Sequence, residues 1–369
     1  MLAPLFRVHL RRRGLTVRPI PVPVFRRWLG SASPTSPAFA FDIDGVLLKG
    51  KRVIPQAKQA LMRLTESSPP IPYILLTNGG GITEQRKAEQ LSGLLDIEIL
   101  PSQVIQGHSP MQSLVSQYGN KGVLVVGGDG RETQNVAKTY GFHRTLIPED
   151  LHRWEPSIWP FKRTPTAAED ERVSYNLSDF DPARDAVASI MVFHDSRDWG
   201  TDIQVCLDVL TAKGGRVVGD RWESGLTQQV PIYFAAHDLV WSNEFPSPRL
   251  GQGGFKVALE TLYSSLTGSE LKCTVYGKPN RVTYEFAEKV LHAEARRLGL
   301  PDQPLHVHAV GDNPNSDIAG AKAFGWESYL VRTGIFKGPP GENDPNHPAD
   351  HVVEHVDEAV LQVLSRPKP

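Results

Sequence analysis

The sequence predicts an α/β protein whose parallel sheet is interrupted in the chain by a second, inserted α/β lobe. Three observations carry that expectation. Short apolar segments rich in Val, Ile, Leu and Phe alternate with stretches of helical periodicity, the pattern of a doubly wound parallel sheet. That pattern changes character in the middle third and returns in the last third. The length, 369 residues, exceeds one compact α/β unit and suits a core domain plus a second lobe. The expected organisation is a leader and linker over 1–36, a first half of the core over 37–107, an inserted lobe over 108–248 and a second half of the core over 249–369.

From the N-terminus, residues 1–36 hold seven arginines and no Asp or Glu. Leu2, Leu5, Phe6 and Leu10 are spaced to form an apolar helical stripe. An Arg-rich, acid-free, amphipathic segment reads as a mitochondrial transit peptide, with the matrix as destination and cleavage expected within 30–36. A plain basic tail is the other reading. A secretory signal needs an unbroken apolar run, which Arg7 and Arg11 to Arg13 interrupt. The remainder carries 33 Lys and Arg against 41 Asp and Glu. Such an acidic body argues against nucleic acid or an anionic membrane as partner. No apolar run approaches the ~20 residues that span a bilayer, so no integral membrane segment is expected. Cys206 and Cys273, far apart and outside any CxxC context, exclude a disulfide framework and a cysteine zinc site.

After the Ser/Pro linker, the spacing predicts a buried strand over 39–43, a helix over 55–67, a strand over 73–77 and a helix opening near Thr83. The middle third predicts strands over 123–126 and 189–193, with helices over 132–140 and 203–210. The Pro-, Trp- and charge-rich stretch 143–184 reads as a long surface excursion, ordered in part by Trp154 and Trp159. The last third predicts strands over 274–276, 307–310 and 329–331, and helices over 282–298 and 317–324. Gly251-Gln-Gly-Gly254 reads as a flexible return from lobe to core.

Four segments fall where predicted strands end, and ligands of open α/β sheets bind there. In Asp42-Ile-Asp-Gly-Val46, two carboxylates two residues apart can share one crevice, one attacking and the other exchanging a proton. In Thr77-Asn-Gly-Gly80, a hydroxyl, an amide and glycine N–H groups suit phosphate oxygens. Lys278 offers a cation to balance phosphate charge, and Asp312 can complete a hard-cation site with Asp42. Asp317 suits the orienting of these neighbours. Singly, each has an ordinary explanation: solvated loop acids, a strand-to-helix turn, a surface lysine, helix caps. Four strand exits in this order, all bearing phosphate or Mg²⁺ chemistry, do not.

These motifs, Asp42-Ile-Asp44, Thr77-Asn78, Lys278 and Gly311-Asp312…Asp317, resemble those of the haloacid dehalogenase superfamily. The resemblance spans about 38–332. An insertion between Thr77-Asn78 and Lys278 is similar to the C2-type cap of subfamily IIA. Within it, Asp195-Ser-Arg-Asp-Trp-Gly200 and Pro246-Ser-Pro-Arg-Leu-Gly-Gln-Gly-Gly-Phe255 resemble the mitochondrial cat-eye-syndrome-critical-region branch. The resemblance implies a Rossmann-like core and a Mg²⁺-dependent phosphatase of a small phosphorylated metabolite. Asp42 would be the nucleophile and Asp44 the general acid/base. Thr77, Asn78 and Lys278 would bind the phosphoryl group. Mg²⁺ would be held by Asp42, the Asp44 carbonyl and Asp312. Caps of this kind often carry dimer contacts, so a homodimer through the lobe is a further expectation. One departure is Gly79, where subfamily members often carry a second Asn. That loss and the 143–184 stretch leave open a catalytically weak or silent binding or assembly protein, and a phosphomutase shares the same aspartyl chemistry. His306 and His308 share a strand face and could bind metal, although half-buried strand histidines are the commoner case. Arg197 and Trp199 could reach the substrate or sit on a surface loop. Gly127-Gly-Asp-Gly130 reads as a turn or helix start rather than a dinucleotide loop.

Overall fold

The computed structural model describes residues 36–163, 180–217 and 227–366. The basic leader, and 164–179 of the expected excursion, lie outside the described residues. Before the insertion come β1 (Ser36–Phe41), the hairpin β2 (Leu48–Lys49) and β3 (Arg52–Val53), β4 (Tyr73–Leu76) and β5 (Val104–Ile105). The insertion holds β6 (Gly122–Val126), β7 (Arg144–Leu146), β8 (Val187–Val192), β9 (Ile232–Phe234), a short pair β10 (Val240–Trp241) and β11 (Arg249–Leu250), and β12 (Cys273–Val275). The chain then returns through β13 (Leu305–Gly311), β14 (Glu327–Val331) and β15 (His351–Val353). Two parallel sheets result, a core sheet ordered β15-β14-β13-β1-β4-β5 and a lobe sheet ordered β12-β9-β8-β6-β7.

The central strand β1 shows why the core sheet is covered on both faces. Its side chains alternate, so Ala38 and Ala40 face one way and Phe39 and Phe41 the other. The alanine face leaves room for Tyr284, Ala287 and Leu291 of the helix Arg281–Arg297. The phenylalanine face packs on Leu61, Leu64, Leu91 and Val360, from three helices on that side. The helix Glu84–Leu95 opens where the sequence predicts, and Thr83 caps it, its Oγ1 accepting from the Arg86 N–H at 3.3 Å. Among the described residues, no helix is long and apolar enough to cross a membrane.

The lobe is larger than the sequence suggested. β12 pairs with β9 in the lobe sheet, Cys273 opposite Ile232 and Val275 opposite Phe234. Phe255, Leu259 and Tyr263 of the helix Gln252–Thr267 pack into the lobe core beside Val192 and Phe234. The expected resumption of the core at 249 therefore gives way to one at Gly277. A short strand preceded by an amphipathic helix reads the same for either sheet, and only pairing assigns it. Gly251 accordingly opens that helix instead of forming a flexible return, and the buried Gln252 accepts a hydrogen bond from the Ala236 N–H at 2.7 Å. The stretch from 143 is likewise more regular than expected. It supplies β7 and the helix Pro148–Trp154, whose buried Asp150 pairs with Arg131 at 2.5 Å. Trp159 meets Phe161 edge to face at 5.1 Å.

Core and lobe are joined by a polar cluster as well as by chain. Glu84 on the core accepts from Ser109 Oγ at 2.5 Å and from the Tyr140 hydroxyl on the lobe, which also lies 2.7 Å from His108 Nδ1. Arg86 forms an ion pair with Glu132 across the same junction. Phe41 sits in the apolar layer beneath the site described next. Truncating it in Phe41→Ala is expected to cost about 3–5 kcal/mol of folding stability. Urea unfolding measures this, and a loss below about 1 kcal/mol would contradict the packing described.

Candidate active site

Three neighbouring strands of the core sheet, β4, β1 and β13, end side by side and deliver the residues that matter. Asp42 follows β1, its N–H donating to the Val310 carbonyl at 2.9 Å. The chain then turns at Gly45 with φ of +92°, where an added Cβ would stand 2.2 Å from Asp312 Oδ2. Only glycine supports both that conformation and that approach. Asp312 follows β13, and its Oδ2 accepts from the Ile335 N–H at 2.6 Å. A π-helical turn, Pro314–Ile318, brings Asp317 back beneath the loop, where its Oδ2 accepts from the N–H groups of Asp312 at 3.1 Å and Asn313 at 3.0 Å. Asp317 thus holds the backbone of the loop that carries Asp312.

Lys278, where the chain re-enters the core, ties these segments together. Its buried Nζ lies 2.6 Å from Asp42 Oδ1, 2.6 Å from Asp317 Oδ1 and 2.7 Å from the Leu76 carbonyl. Carboxylate oxygens of Asp42, Asp312 and Asp317 lie within 4.8 Å of one another, all buried. Burial pushes the Asp42 carboxyl up to about 8, with Asp317 and Asp44 adding to the effect and Lys278 opposing it. Burial likewise raises Asp312, helped by Asp42 and Asp317. Asp44 is raised by burial against the pull of Lys87 and Lys278. Burial works against the Lys278 charge, yet Asp317 and Asp42 hold its pKa above the usual lysine value. One ammonium thus faces a surplus of crowded carboxylate oxygens. That donor set fits a divalent cation with hard oxygen ligands, which Asp42 and Asp312 would hold.

Thr77 is buried at the end of β4, and its Oγ1 accepts from the Gly79 N–H at 3.0 Å. The Asn78 side chain is engaged by protein groups. Its Oδ1 accepts from the Lys278 N–H at 2.7 Å, and its Nδ2 donates to the Lys278 carbonyl at 2.9 Å and to Asp238. The side chain therefore clamps the Lys278 backbone, and Asp238 in turn fixes the clamp. No motif marked Asp238, which lies in a lobe loop after β9 and 160 residues from Asn78. Only the packing of lobe on core reveals its part.

A cavity of about 480 Å³ opens over these groups, lined by strand ends of both sheets. The lobe contributes His194, Asp195 and Arg197 after β8, and Trp241 and Arg249 from its short strand pair. Burial lowers His194 to about 4, helped by Arg197 and Lys87, and raises Asp195 to about 6 against Arg197. Arg197 thus reaches the site, as one sequence reading had it. Trp199 does not, because its ring packs edge to face on Phe255 at 5.7 Å. Asp129 precedes the helix Gly130–Tyr140, so the glycine-rich segment there is a turn and helix start.

Comparison with known proteins agrees with this arrangement. A sequence profile of haloacid dehalogenase-like hydrolases matches residues 39–143, the first part of the core with the start of the lobe, and a HAD-hydrolase-like profile matches 275–359, from the end of the lobe through the returning core. A mitochondrial hydrolase of Saccharomyces cerevisiae is 37% identical over 348 residues, 89% of this chain and 96% of that protein. A cardiolipin synthase (CMP-forming)/mitochondrial hydrolase fusion protein of Schizosaccharomyces pombe is 36% identical over 368 residues, 98% of this chain. The match spans 59% of the fusion protein's length. The glycerol phosphate phosphatase of Mycobacterium tuberculosis in complex with magnesium shares the fold, with a TM-score of 0.56 at 17% identity over 88% of this chain and 76% of that one. With two family profiles matched and a hydrolase 37% identical over 89% of this chain and 96% of its own length, the chain belongs to the haloacid dehalogenase-like hydrolases.

Proposed function

We propose that the protein is a Mg²⁺-dependent phosphatase of a small phosphate ester, acting in mitochondria through an aspartyl-phosphate on Asp42. The observation that carries the proposal is the contact of Lys278 with both Asp42 and Asp317, beside Asp312. It joins a nucleophile, a phosphate-neutralising cation and a carboxylate cation site at one point. The magnesium complex of the fold relative and the mitochondrial names of both yeast relatives support it.

Asp42 attacks phosphorus and forms the phosphoaspartate as the P–O bond to the leaving group breaks. Asp44 gives that oxygen its proton, and then takes one from the water that hydrolyses the acyl phosphate. Burial raises Asp44, which favours the protonated form needed for the first of these steps. Lys278, held by Asn78 and Asp317, meets charge on the phosphoryl oxygens without having to reorganise. A divalent cation at Asp42 and Asp312 would lower the repulsion between the nucleophile and its anionic target. The cavity's volume of about 480 Å³ suits a metabolite better than a protein substrate.

Wild-type protein assayed with Mg²⁺ on small phosphate esters should release phosphate. Asp42→Asn should lower the rate by about a thousandfold or more, and a chelator should abolish it. A folded wild-type protein that hydrolyses none of them would sink the proposal and favour the binding-protein reading.

Asp44→Asn should depend on the leaving group. For alkyl phosphates, which need the proton, the rate should fall about 10²- to 10⁴-fold. For p-nitrophenyl phosphate, whose leaving group needs none, the drop should be markedly smaller. Equal losses on both would remove Asp44 from the proton-transfer role.

The raised Asp42 also sets a pH dependence. A carboxyl lifted from 3.8 to about 8 favours the metal-free fold below the lower value, and that advantage fades as pH rises towards the upper one. Mg²⁺ needs the ionised form and must displace the proton at lower pH. Thermal stabilisation by a fixed Mg²⁺ concentration should therefore be larger at pH 8 than at pH 6, and both smaller and less pH-dependent in Asp42→Asn. A wild-type shift that does not change between the two pH values would contradict this assignment.

A further inference from the structure

The start of the core sheet, at the opposite end of the strands from Asp42, carries a cluster that the proposed reaction does not use. β13 and β14 pair with His308 opposite Glu327, and β14 and β15 pair with Tyr329 opposite His351. His306, two residues before His308, faces the same side, and the two imidazoles stack with ring centres 4.7 Å apart. Four residues separate His308 from Asp312, about 13 Å along an extended strand.

All three imidazoles aim a nitrogen at one carboxylate. His306 Nε2 lies 2.8 Å and His308 Nδ1 3.1 Å from Glu327 Oε2, while His351 Nε2 lies 2.7 Å from Oε1. One donor atom each from His306, His308 and Glu327 falls within 4.8 Å of the others. A second observation points to a ligand. His308 is 3% exposed, yet its Nδ1, 3.1 Å from Glu327 Oε2, makes no hydrogen bond. Buried polar nitrogens are rarely left so, and this one is directed into the cluster.

We infer that His306, His308 and Glu327, with His351 alongside, form a second cation site, selective for imidazole-preferring divalent metals such as Zn²⁺ or Co²⁺. Two imidazoles and a carboxylate, with a fourth position for His351 or water, make a tetrahedral donor set of that class. Ligand atoms about 2.0–2.1 Å from such an ion stand roughly 3.3 Å from each other, a spacing that small ring rotations reach from the present one. Arg366 is the competitor. Its guanidinium lies 2.6 Å from Oε1 and 2.9 Å from Oε2 of Glu327, on a side chain 40% exposed at the end of the last helix. Metal and arginine would share one carboxylate, so the metal gains what Arg366 gives up. A bound ion would tie β13 and β14 together through side chains from adjacent strands.

The test is a Co²⁺ titration of the full chain, followed by visible absorption, in an Asp312→Asn background that disables the oxygen-ligand site. One equivalent should develop the intense bands of four-coordinate cobalt. Those bands should vanish in His308→Gln and appear at least tenfold lower Co²⁺ in Arg366→Gln. Circular dichroism checks folding, and His306→Gln, at a half-exposed position, replaces His308→Gln if the latter fails to fold. Absence of the bands with and without Arg366, or their survival in the histidine variants, would overturn the inference.

Discussion

One buried ammonium holds the chemistry of this protein in place. Lys278 meets Asp42, the end of β4 and Asp317, three segments brought together only because β4, β1 and β13 are neighbours in a parallel sheet. Carboxylates this close and this buried repel each other strongly, and a single opposing charge lets them share the space. Lys278 is itself constrained through its backbone, where the Asn78 side chain accepts from its N–H and donates to its carbonyl. The ion cluster therefore depends on where the chain crosses back from lobe to core as much as on the strand ends themselves.

That dependence explains what could be read from the sequence. Asp42, Asp44, Thr77, Asp312 and Asp317 are recognisable because each follows an apolar run that reads as a buried strand, whereas Lys278 follows a short, half-exposed one. Strand ends on one edge of a parallel sheet converge whatever the loops do. The work of Asn78 was hidden, because its amide is claimed by Lys278 and Asp238, one of them 200 residues away. Asp238 carried no local pattern at all. The limit of the lobe is illegible for a related reason: apolar periodicity identifies a helix and a strand but not the sheet they join. Phe255 and Val275 would look equally at home in either core.

The site divides by origin. Core strand ends supply the carboxylates, the hydroxyl and, at the re-entry, the lysine, groups that in the proposed reaction would serve transfer of any phosphoryl group. The lobe supplies His194, Arg197, Trp241 and Arg249, which shape the rest of the cavity. Reaction chemistry is thus written in a few short motifs, while selectivity is spread over loops whose side chains have meaning only once the lobe sheet has formed. This is why the class of reaction is legible and the particular ester is not written in any one segment.

The two crossings between core and lobe lie close together. An added Cβ at Gly107 on the outward path would stand 2.8 Å from the Ala235 carbonyl, and one at Gly277 on the return would stand 2.5 Å from the same oxygen. Both strands of the passage are thus pressed against one carbonyl, and both are glycine. A side chain at either glycine would have to push that carbonyl aside, so the passage tolerates no bulk and lobe and core are joined through one narrow neck.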